Sequence, residues 1–355
     1  LTPPLHSMAN LPRNSAVLVL AWPEVTARGE EGIVKFLRTI GVVKNVNMMV
    51  GHAAMMIAEG SSLRYYDFGR YITPRRMGRI RSAETDPALT FATVPKWDEQ
   101  GRLTNIDAVC RELDAKSAQT HGEGLLQLSV YYTPDVFKVE AKARDLQFGG
   151  LIGYHGLDPK QTNCARFVQT SLLAGIDHEP THYSRYKRPV TYTAPTPYFN
   201  VLAAAQDGER YLEWRNGHAE WKQAPLIKAW WDVTANIFAS VSRSKTGHLH
   251  RDEVVGKLDE PSVRPEGVPH DSLYLGGIGE GAWYRVQPSA DRVLEGQRHT
   301  YAGEHDFTGH FEAEEALVRQ LGQSEARLVH DSHFGWLTIE QSNGLKHRAY
   351  RTKND

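Results

Sequence analysis

One cysteine of this 355-residue chain stands where a nucleophile could be activated. The chain has two cysteines, and Cys164 follows Asn163 in PKQTNCARFVQTSLLAG, at the start of an apolar run with helical spacing. Because Asn is a preferred N-cap, the pattern predicts a helix that begins at Cys164 and ends at Gly175. The helix dipole favours a thiolate there, and the unsatisfied N–H groups of the first turn can bind an oxyanion.

Both cysteines also fit a structural role, because a lone cysteine is more often a small buried residue than a nucleophile. Cys110 fits that role well, since it lies on an apolar helical stripe with Ile106, Val109 and Leu113 in NIDAVCRELDAKSAQ. For Cys164 the residues alone leave both interpretations open.

A nucleophilic cysteine needs a base, and His52 is a candidate for it. It lies in the otherwise apolar segment MVGHAAMMI, which predicts a strand in which a polar ring must have partners. A turn at EGSS would pair Ala54 with Asp67 in the following strand, LRYYDFGRYI. Asp67 then faces the same side as His52, diagonally across the ladder, and could orient the ring. The alternative is a core histidine with satisfied hydrogen bonds.

Two further polar segments could contact a substrate. TPRRMGRIRSAETDP predicts a basic loop after Asp67, which is either a solvated face paired with nearby acids or a clamp for an anionic substrate group. In THGEG, the glycines around His121 and Glu123 favour a turn or close approach to a ligand. The arginines of the basic loop are Arg75, Arg76, Arg79 and Arg81.

The order of elements predicts an α+β fold with two domains. AVLVLAWP, the hairpin around EGSS and GLLQLSVYY predict strands, and the two cysteine segments and TPDVFKVEAKARDL predict helices. A Pro-, Thr- and Tyr-rich stretch then precedes a β-rich region with Asp-Gly and Asn-Gly turns. We expect domains at 8–195 and 196–355, the second with one amphipathic helix near 226–242. Residues 1–7 would be a cloning remnant before a natural start at Met8.

Composition excludes several classes of protein. A net charge of −1 argues against a general nucleic-acid binder, and two cysteines exclude a disulfide framework or a cysteine-rich zinc site. No apolar run has membrane-spanning length, and GGIGEG at 276–281 lacks the dinucleotide-binding pattern. We expect no metal and no cofactor in a cytoplasmic protein, or in one delivered by a specialised secretion route. The oligomeric state stays open.

NCARFV resembles the NC-x-x-F-V nucleophile motif of the circularly permuted papain-like hydrolases. These include the lecithin:retinol acyltransferase-like proteins and the NlpC-type peptidases. In that superfamily the catalytic His opens a strand of an antiparallel sheet, a polar residue lies on the next strand, and the cysteine helix comes last. The resemblance implies that Cys164 is the nucleophile and His52 the base, with Asp67, or else Tyr65, as the third residue.

Several longer segments resemble a bacterial family of unknown function, which shares the C-terminal signature YLGGIGEGAW; the others are AVLVLAWPE, VGHAAMMI, YYDFGRYITPRRMGRIRSAETDP and THGEG.

The superfamily resemblance implies a thiol hydrolase, and our first expectation is cleavage of an amide in a peptide-like substrate. The alternatives are an acyl hydrolase or acyltransferase acting on a lipid or thioester, a catalytically silent binding protein, and an effector delivered to another cell. Acyltransferase-like members carry a second His where this chain has Asp67, which argues against that subclass. The expected substrate contacts are Tyr65, Arg75, Arg76, His121, Glu123 and Asn163. We expect the β-rich region to select the substrate.

Overall fold

The fold is α+β in the residues that the computed structural model describes, namely 14–28, 47–49, 51–132, 135–156, 158, 160–177, 180–187, 196–205, 210–223 and 257–352. For residues 26–28, 47–49, 180, 182 and 185 only the backbone is described. The helix predicted near 226–242 and the remnant predicted at 1–7 lie outside the described residues.

The chain divides into two compact units that alternate along the sequence. The first comprises the described residues of Leu1–Phe68, Phe91–Phe148 and His155–Asp252. The second comprises those of Gly69–Thr90, Gly149–Tyr154 and Glu253–Asp355. The boundary near residue 196 that the composition suggests stays a prediction.

The first unit contains a sheet of six strands and the helices that contact it. The strands that begin in this unit are β1 Ser15–Trp22, β2 Thr26–Arg28, β3 Asn47–Met49, β4 His52–Glu59, β5 Ser62–Gly69, β7 Leu126–Tyr132, β9 Arg210–Arg215 and β10 His218–Gln223. Its helices are α1 Ile106–Ala115, α2 Ser117–Thr120, α3 Val136–Phe148, α4 Cys164–Gly175, α5 Pro180–Lys187 and α6 Pro197–Ala204.

The sheet runs in the order β10-β9-β7-β1-β4-β5, and all its neighbouring strands are antiparallel. β1 is buried along its whole length, as its continuous apolar sequence predicts. Helix α3 contacts β1 and β4, α4 contacts β4, and α6 contacts β1 and β7. The helices therefore bury the central strands on which the candidate residues lie.

The β4–β5 hairpin has the predicted register, because Ala54 pairs with Asp67. The single strand predicted over MVGHAAMMI is wrong at its start. Gly51 has a φ of +77° and lies against the backbone of β1, so β3 ends before it and β4 begins at His52. A side chain at Gly51 would meet the carbonyl oxygen of Trp22 at 3.0 Å. His52 therefore opens its strand directly after a glycine with a left-handed backbone.

The second unit contains a seven-stranded antiparallel sheet in the order β11-β12-β13-β14-β17-β16-β15. Its strands are β11 Leu273–Leu275, β12 Ala282–Ala290, β13 Val293–Thr300, β14 His305–Glu312, β15 Ala326–Leu328, β16 Trp336–Gln341 and β17 Lys346–Arg351. The Asn-Gly turn between β16 and β17 was predicted. Helix α7, Glu315–Gly322, was not, and its Leu317 and Val318 are buried in the core of this sheet.

The basic segment after Asp67 is not the loop that its sequence predicts. Met77–Arg81 forms strand β6, which pairs with β8, Ile152–Gly153, within the second unit. Arg79 is only 3% exposed, and its guanidinium makes two hydrogen bonds of 2.7 and 2.8 Å to the carboxylate of Asp86. Pairing of the basic run with a nearby acid is therefore found for this arginine, but the pair is buried, so the expected solvated face is wrong and a carboxylate occupies the guanidinium in place of a substrate.

Arg298 of β13 joins this pair with a 3.0 Å hydrogen bond to Asp86. Burial alone would raise the pKa of Asp86, but the charges of Arg79 and then Arg298 outweigh burial and hold that pKa well below its usual range. The carboxylate is thus ionised at neutral pH and links Gly69–Thr90 to β13 inside the second unit.

Candidate active site

Cys164 is the first residue of helix α4, as predicted. Asn163 has an extended backbone, and its side chain accepts a 2.8 Å hydrogen bond from the N–H of Arg166, which makes it the N-cap. Phe167 and Val168 bury the inward face of the helix behind the thiol. The local sequence thus places the cysteine sulfur at the positive end of the helix dipole.

Side-chain hydrogen bonds hold the backbone before and after the nucleophile in place. The guanidinium of Arg166 donates to the carbonyls of Asp158 at 2.9 Å and Gln161 at 2.5 Å in the loop that leads to the cap. The amide of Asn200 on α6 donates a 2.7 Å hydrogen bond to the carbonyl of Ala165. These contacts fix backbone between one and six residues from Cys164, whose sulfur would have to attack along a defined direction.

His52 lies between Asp67 and Cys164. Its Nε2 is 3.4 Å from Oδ2 of Asp67, and the side chain of Cys164 also interacts with the ring. Burial alone would lower the pKa of His52, but the hydrogen bonds to Asp67 and then Cys164, with the charges of both, raise it to about 9. The folded protein therefore favours the imidazolium form at neutral pH.

Asp67 is 0% exposed and receives a second hydrogen bond, from the hydroxyl of Tyr65 to Oδ2 at 3.0 Å. Tyr65 is itself 1% exposed and stacks on Phe91. Since its hydroxyl is bound to the carboxylate and its ring is in the core, its place in the structure is beside Asp67. The substrate contact predicted for Tyr65 stays a prediction.

Cys110 provides the contrast within the same chain. It is 0% exposed on helix α1, and burial raises the pKa of its thiol, with a further contribution from the charge of Asp107. Val109 and Leu113 are buried on the same face, as the spacing predicts. Its thiol is therefore held in the neutral form.

The other predicted contact residues are distributed over the two units. His121 is half-buried with a left-handed backbone, and Glu123 is exposed; they flank Gly122, which packs against Trp22. Arg75 and Arg76 are exposed and belong to the second unit, whereas the three candidate catalytic residues belong to the first. Their roles as substrate contacts stay predictions.

Two residues of this region were missed from the sequence. Trp22 is the cross-strand partner of His52, and its ring stacks on the imidazole with 5.8 Å between centroids and 18° between planes. Asn200 is the polar residue of an otherwise apolar helix, PYFNVLAA, and is 0% exposed. An aromatic residue at the end of a buried strand and a lone amide in an apolar helix are the signals that could have found them.

Within the described ranges, no cluster of three or more His, Cys, Asp or Glu side chains is arranged to hold a metal ion. No helix in the same ranges is long and apolar enough to cross a membrane.

Comparison with known proteins gives two partial family matches. Residues 17–181 match a family described as type VI secretion system effector TseH-like, and residues 272–347 match one described as the DUF6695 C-terminal domain. The crystal structure of the type VI secretion system effector TseH is 15% identical, covers 59% of this chain and 99% of its own, and superposes with a TM-score of 0.39. No curated protein matches the chain. The first family match spans His52, Asp67 and Cys164.

Proposed function

We propose that this protein is a cysteine hydrolase of papain-like type that cleaves an amide bond. The observation that carries the proposal is the contact series Cys164–His52–Asp67, in which a thiol at a helix N-terminus meets a histidine that a buried carboxylate orients. These three groups supply a nucleophile, a proton carrier and an orienting charge, which are the parts that thiol catalysis needs.

The chemistry follows from the placement of each group. The thiolate of Cys164 attacks the carbonyl carbon, and the carbonyl oxygen takes up the negative charge. The imidazolium of His52 then gives its proton to the leaving amine as the C–N bond breaks, and an acyl-enzyme remains. His52, now neutral, takes a proton from water as the water attacks the thioester, and the acid product leaves with the thiolate restored.

Donors for the oxyanion lie in the first turn of α4. The N–H of Arg166 bonds the side chain of Asn163, and the N–H of Phe167 bonds the carbonyl of the same residue. The N–H groups of Cys164 and Ala165 are the first-turn donors that these two bonds do not use. We assign them to the developing oxyanion.

The match to a type VI effector family supports a further part of the proposal, namely that the hydrolase is delivered to another cell and damages it there. A delivered hydrolase needs a substrate in the recipient cell. We place that substrate among peptide-like amides, with an ester or thioester as the alternative that the experiment below separates.

The test uses an electrophilic probe on the full-length protein, followed by mass mapping of the labelled residue. We expect labelling at Cys164, loss of labelling in Cys164→Ala, and unchanged labelling in the matched variant Cys110→Ala. Labelling of both cysteines at similar rates would contradict a catalytic thiol.

Substrate and delivery are tested with the same pair of variants. Each protein is produced in bacterial cells with and without an export signal, and growth is followed. We expect growth inhibition that Cys164→Ala abolishes and Cys110→Ala retains. Two assays compare amide and acyl substrates. One measures the release of new amines, and the other measures the release of free acyl acids or thiols from model esters and thioesters. Inhibition that survives Cys164→Ala would refute a hydrolytic effector.

A further inference from the structure

Trp22 and His52 face each other at the end of the β1–β4 ladder. The indole is 2% exposed and lies nearly parallel to the imidazole, so it covers one face of that ring. Asp67 and Cys164 provide the polar contacts of the ring, and Trp22 stacks on one of its faces. Hydrogen bonds in the ring plane leave the tilt of the imidazole free, and a stacked ring is the kind of contact that can limit this tilt.

Gly122 accounts for how the indole is held. A β-carbon built on Gly122 would lie 2.3 Å from Cε2 and 2.6 Å from Cζ2 of Trp22, so the backbone itself touches the indole. The φ of Gly122 lies outside the left-handed region, so other residues could adopt its backbone. Space, and not conformational freedom, therefore requires glycine at this position. The preceding His121 has a φ of +53° and turns the chain so that Gly122 meets Trp22.

We propose that Trp22, held in place by Gly122, is a positioning residue that fixes the imidazole of His52 between Cys164 and Asp67. The inference rests on the proposed function, because it assigns a role to Trp22 only if His52 serves the thiol. Two physical effects carry it. Packing against the indole limits rotation of the imidazole, and the π face of an indole attracts a cation within about 6 Å of its centroid, which favours the imidazolium.

The same inference gives the THGEG motif a role. The motif provides the close backbone support for the indole through Gly122 and the turn at His121, and this support does not depend on the side chains of His121 and Glu123. In this proposal THGEG affects the reactivity of the Cys164 thiol indirectly, because Gly122 positions the Trp22 indole and the indole positions the His52 imidazole.

The test measures the alkylation rate of Cys164 by iodoacetamide at pH 7.5, together with the pH titration of His52 by NMR of 13C-labelled histidine. Gly122→Ala pushes on the indole, Trp22→Leu removes its π face, and Trp22→Phe keeps a smaller aromatic face. Gly322→Ala is the matched control, because its added β-carbon meets only Pro288, at the ordinary distance of 3.4 Å. Each single variant is repeated in the His52→Ala background.

We expect Gly122→Ala and Trp22→Leu to lower the pKa of His52 by about one unit and to slow alkylation by up to about tenfold, which is the largest rate change that one pKa unit can produce. Trp22→Phe should recover most of the rate, and Gly322→Ala should match the unaltered protein. In the His52→Ala background, Gly122→Ala should change the rate less than twofold, because its effect passes through the imidazole.

The outcomes separate the two proposals. If His52→Ala leaves alkylation unchanged, the proposed function fails and this inference fails with it. If His52→Ala slows alkylation but Trp22→Leu changes neither the alkylation rate by more than twofold nor the pKa of His52, only the positioning role is overturned. A slow rate that persists equally in the His52→Ala background also overturns it, because the damage is then structural. Should Gly122→Ala fail to fold, Trp22→Leu and Trp22→Phe decide.

Discussion

Asp67→Asn tests the electrostatic core of the proposed site with almost no change of shape. The amide can still accept a hydrogen bond from His52, so geometry is largely retained while the charge is lost. The buried position of Asp67 makes the charge effective, because little water is present to screen it.

The size of the effect follows from the titration of His52. Its pKa is raised from 6.5 to about 9, and at 1.36 kcal/mol per unit this favours the imidazolium by roughly 3 kcal/mol. The hydrogen bond to Asp67 is the largest of the contributions that raise this pKa. Losing half of the net effect would cost roughly 1.5 kcal/mol, which lowers the pKa by about one unit and the equilibrium constant between the ion pair and the neutral pair about tenfold.

The assay is the alkylation rate of Cys164 at pH 7.5, with the His52 titration followed by NMR. Asp177→Asn is the matched control, because Asp177 is a half-exposed carboxylate of the same unit that pairs with Lys138. We expect Asp67→Asn to lower the pKa of His52 by about one unit and to slow alkylation by up to about tenfold, and we expect no change in either quantity for Asp177→Asn. A His52 that still titrates near pH 9, or an unaltered rate, would refute the reasoning and move the orienting role to another group.

Four further outcomes are expected. His52→Gln should lower the free energy of unfolding in urea more at pH 6 than at pH 9.5. The reason is that the pKa of His52 is raised from 6.5 to about 9 in the folded protein, so protonated His52 stabilises the fold fully below pH 6.5, and this stabilisation is lost as the pH rises through 9. Tyr65→Phe should cost about 1.5–3 kcal/mol of stability, as a hydrogen bond to a charged group does, and should slow alkylation less than loss of the carboxylate charge. Asn163→Ala should cost about 1 kcal/mol through loss of the cap, measured by the unfolding midpoint. Asp86→Asn should cost about 3–5 kcal/mol because it leaves buried Arg79 without its counter-charge and removes one of the two carboxylates that pair with Arg298, the other being Asp306. Asp271→Asn, in an exposed pair, should cost less than about 1 kcal/mol, and equal costs would contradict a charged core.

The parts of the candidate site that local rules govern could be predicted from the sequence. The turn at EGSS fixes the hairpin register, and the register fixes which side Asp67 faces. Asn163 before an apolar helical run fixes the cap and hence the position of Cys164. Each of these depends on residues within a single hairpin or a single helix, so sequence pattern is sufficient.

The parts that depend on distant partners could not be predicted. From the sequence Arg79 resembles a surface charge. Its burial with Asp86 becomes clear only when Arg298, more than 200 positions away, is known to join the pair. The break at Gly51 depends on the approach of β1, and the stacking of Trp22 depends on the pairing of β1 with β4. Helix α7 is amphipathic but short, and a region rich in turn signals favoured strands there.

The ion network of the second unit has a consequence for how the protein is made. Asp86 and Arg298 are 212 residues apart, so at about 5–20 residues per second the ribosome needs roughly 10–40 seconds to add the second after the first. During that interval Gly69–Thr90 has left the ribosome without the sheet that it joins. Its apolar and charged groups stay exposed to water, or bound by chaperones, until β13 emerges. Any message that ends before Arg298 therefore yields a chain with a permanently unmatched segment between β5 and α1, and we expect such chains to be degraded or to aggregate.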